Sequence, residues 1–181
     1  MNRYILTGAP GSGKTLALRQ LELEGFAVVE EAATDVIALQ QALGKAEPWM
    51  RPEFVDDVAR LQKLRQMQSG HGDAKLQIHD RSVICTAALA EYLRYPISHF
   101  LSTEIERVLA GNVFEKKVFF LRNLGFITPT EARRISFEET VRFEKIHEQA
   151  YARFGFEIIF IEAAPLLDRV CAIVKAVQGA T

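Results

Sequence analysis

Five short apolar runs, each ended by a turn or a charge, alternate along this chain with longer stretches whose apolar residues recur at helical spacing. The runs are Arg3–Thr7 (RYILT), Phe26–Val29 (FAVV), Lys75–His79 (KLQIH), Lys117–Leu121 (KVFFL) and Glu157–Ile161 (EIIFI). Between them the pattern predicts helices from about Gly13 to Glu24, Thr34 to Leu43, Pro52 to Gln68 and Val83 to Tyr95. Thr103 with Glu106 is a capping-box pattern opening a helix to about Ala110. Ser136 with Glu139 opens another, in which Phe143, Ile146, Ala150 and Phe154 share a face up to Gly155. A last helix runs from about Pro165 to Val177. Ser69–Asp73 reads as a loop, and Thr128-Pro129 with Glu131 as a capped helical turn. Strands alternating with helices predict an α/β protein: an open, mostly parallel sheet with helices on both faces, in three α/β/α layers. The near-continuous apolar runs suit strands buried on both sides.

Ligands of such sheets sit outside the carboxyl ends of the strands. After the first run comes Gly8-Ala9-Pro10-Gly11-Ser12-Gly13-Lys14-Thr15, which fits the phosphate-loop pattern G-x-x-x-x-G-K-[ST] between a strand and a helix. Glycines let successive N–H groups turn toward phosphate oxygens, and the helix that follows adds its positive end. Lys14 is expected to reach the outer phosphates, and Thr15 to offer a hydroxyl to Mg2+. A bound nucleoside triphosphate with magnesium is therefore expected. No Asn-Lys pair of the kind that reads guanine is present, which favours ATP.

After the second run come Glu30 and Glu31, and after the third Asp80, Arg81 and Ser82. Asp80 is a candidate magnesium-holding or catalytic carboxylate, or else the N-cap of the next helix. Arg81 is a candidate phosphate ligand, or a partner for Asp80 or Glu31. Either Glu30 or Glu31 is placed to deprotonate an acceptor hydroxyl, unless both are surface carboxylates favoured by a helix dipole. The segment at about 122–136 carries Arg122, Arg133 and Arg134 and reads as a basic lid over the transferring group, with a solvated charge run (Glu131 beside Arg134) as the alternative. Trp49, Tyr92, Tyr95 and Phe100 fall in the two regions available for an acceptor pocket, as stacking groups or as core.

Composition narrows the partners. Of 181 residues, 49% are hydrophobic and 25% charged, and the net charge of −1 gives no basic excess for nucleic acid. The length suggests one domain over residues 1–181. No apolar run is long enough to span a membrane, and no signal-peptide pattern precedes the first strand, so the cytoplasm is expected. Cys85 and Cys171 are expected to be two buried thiols. His71, His79, His99 and His147 show no metal spacing and are expected to be structural or exposed.

Taken together, YILTGAPGSGKT, FAVVEEAATDVI, Asp80-Arg81-Ser82 and EARRISFEET resemble the small predicted ATPases of the AAA-like domain family, which groups with phosphate-loop kinases of the nicotinamide-riboside and nucleoside kinase kind. The resemblance covers nearly the whole chain. It implies a P-loop NTPase fold with a five-stranded parallel sheet of kinase-like order. It also implies catalytic roles for Lys14, Glu31 (or Glu30), Asp80, Arg81 and the lid arginines Arg133 and Arg134. Asp80 stands where deoxynucleoside kinases usually have Glu, and no base-reading residue is evident. The function expected is transfer of the γ-phosphate of Mg-ATP to an unidentified nucleoside- or nucleotide-like hydroxyl. The alternatives are a nucleotide-dependent switch or ATPase acting on a protein partner, and a sensor that binds without turnover. No ring-forming element or second arginine-finger domain of a motor ATPase is visible.

Overall fold

The computed structural model describes residues 1–68, 74–124 and 137–179. Five strands form one wholly parallel sheet: β1 (Asn2–Gly8), β2 (Ala27–Val29), β3 (Leu76–Asp80), β4 (Lys117–Leu121) and β5 (Glu157–Ile161), in the order β2-β3-β1-β4-β5. The helices are α1 (Lys14–Leu23), α2 (Ala33–Ala42), α3 (Glu53–Gln68), α4 (Val83–Leu93), α5 (His99–Ala110), α6 (Phe137–Arg153) and α7 (Leu166–Gln178). The expected three-layer architecture is thus present, and so is the strand order of the kinase-like P-loop fold.

Alternation along the central strands feeds two cores. Ile5 and Val118 point to one face, where α3, α4, α5 and α6 pack. Tyr4, Leu6, Phe119 and Leu121 point to the other, against Ala17, Leu18 and Leu21 of α1 and Val170, Ile173 and Val177 of α7. Helix α4 is buried along most of its length, from Val83 to Ala88 and again at Ala90, which is why its sequence shows no polar stripe. A third cluster joins Ala32 and Val36 to Phe54 and Val58.

Register decides what meets at the carboxyl edge. Leu6 lies opposite Asp80, so β3 ends beside the strand that feeds the phosphate loop. Gly8 lies opposite Leu121. At Gly8 the backbone turns with φ 140°, and a Cβ there would press into the Leu121 carbonyl oxygen and stand 2.9 Å from Ser12 Oγ. The first loop glycine is therefore required by packing as well as by backbone conformation.

Three sequence expectations are corrected. Helix α5 starts at His99, not near Thr103: Ser98 Oγ accepts the Leu101 amide at 3.0 Å, leaving Thr103 and Glu106 inside the helix. Helix α4 stops at Leu93 rather than Tyr95, because Arg94 turns left-handed with φ 60°. Of the two cysteines only Cys85 is buried, whereas Cys171 is exposed, off the apolar face of α7. A short 3-10 turn at Pro48–Met50 also follows α2. The Ser69–Asp73 loop, the Thr128-Pro129 turn and Ser136 lie outside the described residues, as does His71.

Replacing Gly8 with Ala should destabilise the protein by about 2–4 kcal/mol, from backbone strain plus a backbone collision. Gly25, with φ 90° and nothing within 4 Å of a built Cβ, should cost about 1 kcal/mol when replaced by Ala. Urea unfolding of both variants checks the contrast.

Candidate active site

Lys14 and Thr15 open α1 and face a cleft of about 500 Å³ at the carboxyl edge of the sheet. That is ordinary size for a small-molecule site. Lys14 is buried, and its Nζ donates to the Ala9 carbonyl at 2.9 Å. Burial, then the neighbouring Arg81, lowers its pKa to about 8, against the opposing pull of Asp80 and Glu31. Pro10 lines the same wall, while Ser12 is fully buried beneath it.

Arg81 is the first residue beyond β3 and has a left-handed backbone, φ 71°. A non-glycine residue held there marks a conformation fixed by its surroundings. Its amide donates to the Leu6 carbonyl at 2.9 Å. Its Nε donates to Glu31 Oε1 at 2.6 Å, and its Nη1 donates to His147 Nε2 at 3.3 Å. His147 Nδ1 lies 2.9 Å from the Phe143 carbonyl, which accepts only from a protonated nitrogen, so Nε2 carries the lone pair. Burial, reinforced by the charge of Arg81, keeps this imidazole neutral by lowering its pKa well below the usual value.

Glu31 and Glu30 part company. Burial pushes Glu31 upward, but Arg81 and Lys14, with hydrogen bonds from Thr34 and Arg81, outweigh it and keep the carboxylate ionised. Glu31 lines the cleft, whereas Glu30 points away and pairs with Arg19 on α1. Asp80 also lines the cleft, and it is not the helix N-cap: Ser82 Oγ takes that place by accepting the Ile84 amide at 3.3 Å. Burial raises the Asp80 pKa to about 6, with Glu31 adding to the rise and Lys14 and Arg81 opposing it.

The residues fit a magnesium ion. Asp80 Oδ1 is buried without a hydrogen-bond donor, an orphan acceptor on a residue that lines the same cleft as Thr15. Magnesium bound with a polyphosphate takes only one or two protein carboxylates. Accordingly no group of three or more His, Cys, Asp or Glu side chains gathers into a metal cage among the described residues.

Beyond the charges the cleft becomes apolar and aromatic. Of the four aromatic residues that the sequence left open between stacking and core, Trp49 and Tyr92 line it, joined by Phe54, Leu89 and Phe143. Tyr95 and Phe100 do not. Tyr95 donates its hydroxyl to the Trp49 carbonyl at 2.9 Å, and Phe100, half-buried, packs against the core under Arg60. Gln62 and Thr86 supply polar atoms on the far wall, the Thr86 hydroxyl donating to Gln62 Oε1 at 2.7 Å. Phe143 and His147 were missed as site residues, although their i, i+4 spacing puts both on one face of α6. Of the lid, only 122–124 are described. There Arg122 is tied to Glu144 and Glu148 and lies 3.8 Å over the Phe160 ring, outside the cleft. Arg133, Arg134 and Glu131 lie outside the described residues. No helix among the described residues is long and apolar enough to cross a membrane.

Residues 3–169 match the model of the AAA domain family, and the chain belongs to that family. No curated protein matches it. The fold is that of deoxyadenosine kinase from M. mycoides. The structure of that enzyme with dCTP bound has a TM-score of 0.68 at 15% identity, over 99% of this chain and 100% of that one. The structure with the products dCMP and a flexible dCDP gives 0.67 at 14%, over 98% and 99%.

Asp80 ionises against its environment, so the sign of its effect on stability is fixed. Its folded pKa lies above the unfolded one, so the penalty is absent below about pH 4, grows as pH rises from there through 6, and is constant at higher pH. Asp80→Asn should therefore stabilise the nucleotide-free protein by about 1–3 kcal/mol at pH 8 and by little at pH 4. Thermal unfolding at the two pH values checks this.

Proposed function

We propose that this AAA-domain protein transfers the γ-phosphoryl group of Mg-ATP to the hydroxyl of a nucleoside- or nucleotide-like small molecule. The observation that carries the reading is the reach of the cleft. It runs without interruption from Lys14 and Thr15, past Glu31, Asp80 and Arg81, to a wall of Trp49, Tyr92 and Phe143. A water acceptor needs no such room. A planar, partly apolar molecule does, and aromatic walls suit it.

In this reading the triphosphate lies on Gly8–Thr15, with Lys14 on its outer phosphates. Magnesium held by Thr15 and Asp80 would neutralise charge on the phosphate oxygens. The acceptor hydroxyl lies between the phosphate end and Glu31, whose ionised carboxylate accepts the hydroxyl proton as the bond to phosphorus forms. A weak base is adequate, because the transition state is loose and the proton leaves late. Arg81, held between Glu31 and His147, keeps its remaining N–H groups for the charge on the transferring group. Arg133 and Arg134 are assigned to the same charge from the lid. A cytoplasmic setting, with no nucleic-acid or membrane partner, goes with this reading.

Turnover of Mg-ATP against a panel of nucleosides, nucleotides and ribosides should reveal an acceptor that accelerates ADP release. With it, Glu31→Gln should lower kcat about 10²–10³-fold while leaving ATP affinity within a few-fold. Lys14→Ala should abolish turnover. Slow hydrolysis that no acceptor accelerates and that Glu31→Gln leaves intact would favour the nucleotide-dependent switch instead.

A further inference from the structure

Arg169 stands in the first turns of α7, 3% exposed, with its guanidinium against the phosphate loop. A Cβ built on Gly13 would lie 2.9 Å from Arg169 Nη1. Nη2 donates to the Arg122 carbonyl, at a long 3.4 Å. Nε is buried without a partner, and no carboxylate pairs with this arginine among the described residues. Burial alone, with no opposing charge, lowers its pKa from the ordinary arginine value.

A buried cation lacking its anion is costly, and removing one partner of a buried pair commonly leaves such a deficit. The position indicates where the anion comes from. The guanidinium sits where the last loop glycine meets the residue just beyond β4, both at the carboxyl edge of the sheet. Helix α7 packs on the sheet face of the α1 core, whereas Glu31, Asp80 and the aromatic wall belong to the side of α2, α3, α4 and α6. Arg169 is thus across the loop from the acceptor. The N-terminal end of α7 adds a positive potential at the same place.

We infer that Arg169 is a binding residue for the donor nucleotide, donating to anionic oxygens on the α-phosphate side of a triphosphate seated on Gly8–Thr15. The inference rests on the proposed donor site and adds a residue from outside every motif. Leu124 Cδ1 lies 3.7 Å from the same point on Gly13, so a nucleotide reaching Arg169 displaces that side chain.

Calorimetric titration with Mg-ATP, paired with thermal unfolding of the nucleotide-free protein, tests it. Arg169→Gln should weaken ATP binding about tenfold or more, the loss of one charge-assisted contact. The same variant should unfold no earlier than wild type without nucleotide, since an uncompensated charge has been removed. Arg169→Lys, which keeps the charge, should recover part of the affinity. An unchanged ATP affinity in Arg169→Gln would overturn the inference. So would a fall in the unfolding temperature, or failure to fold, since either would mark Arg169 as a clamp between loop and strand. Absence of ATP binding by the wild type would overturn the proposed function itself, a separate result from wild-type binding that Arg169→Gln leaves intact.

Discussion

Arg81 leaves β3 with a left-handed backbone and sends its guanidinium between a carboxylate from the end of β2 and an imidazole from α6. Three parts of the chain that are distant in sequence are joined through this one side chain, and the cleft has its shape because they are. The backbone conformation is held by the Arg81 amide bonded to Leu6, in the strand that feeds the phosphate loop. Without Arg81, Glu31 would be a partly buried carboxylate lacking its main counter-charge, and His147 would lose its hydrogen-bond donor. Breaking a partly buried pair leaves an ion without its counter-charge in a site that solvent reaches only in part.

The same ion pair sets the charge of the site. Lys14 and Arg81 are cationic, Glu31 is held anionic, His147 is neutral, and Asp80 is poised to gain or lose its proton. Two neighbouring carboxylates are driven in opposite directions because Arg81 and Lys14 outweigh burial at Glu31, whereas at Asp80 burial, with the charge of Glu31, outweighs them. Under the proposed function, a polyphosphate entering this cleft would meet positive charge that is already oriented.

Much of this was legible in the sequence, for identifiable reasons. The phosphate loop is local, so its residue types disclose it directly. The buried parallel strands disclose themselves as continuous apolar runs. The choice between Glu30 and Glu31 was not legible, since adjacent residues point to opposite sides and only the packed structure shows which side holds Arg81. His147 was hidden because it sits among the apolar residues of α6 and acquires its meaning from a contact 66 positions away. The true cap of α5, Ser98, lacks a Glu three residues on, whereas Thr103 has one and lies within the helix. Cys171 follows Val170 on a helix whose buried face is spaced 170, 173, 177, and attention to that spacing would have placed it outside.

The central claim is that donor and acceptor share one continuous cleft with Glu31 and Arg81 between them. Calorimetric binding of a series of bisubstrate compounds, adenosine joined through a polyphosphate to different nucleosides, tests this most directly. One member of the series should bind at least a hundredfold more tightly than ATP, because a single linked ligand gains both half-sites at one entropic cost. If every member binds no more tightly than ATP itself, the two halves of the cleft do not serve one transfer reaction, and the account is wrong.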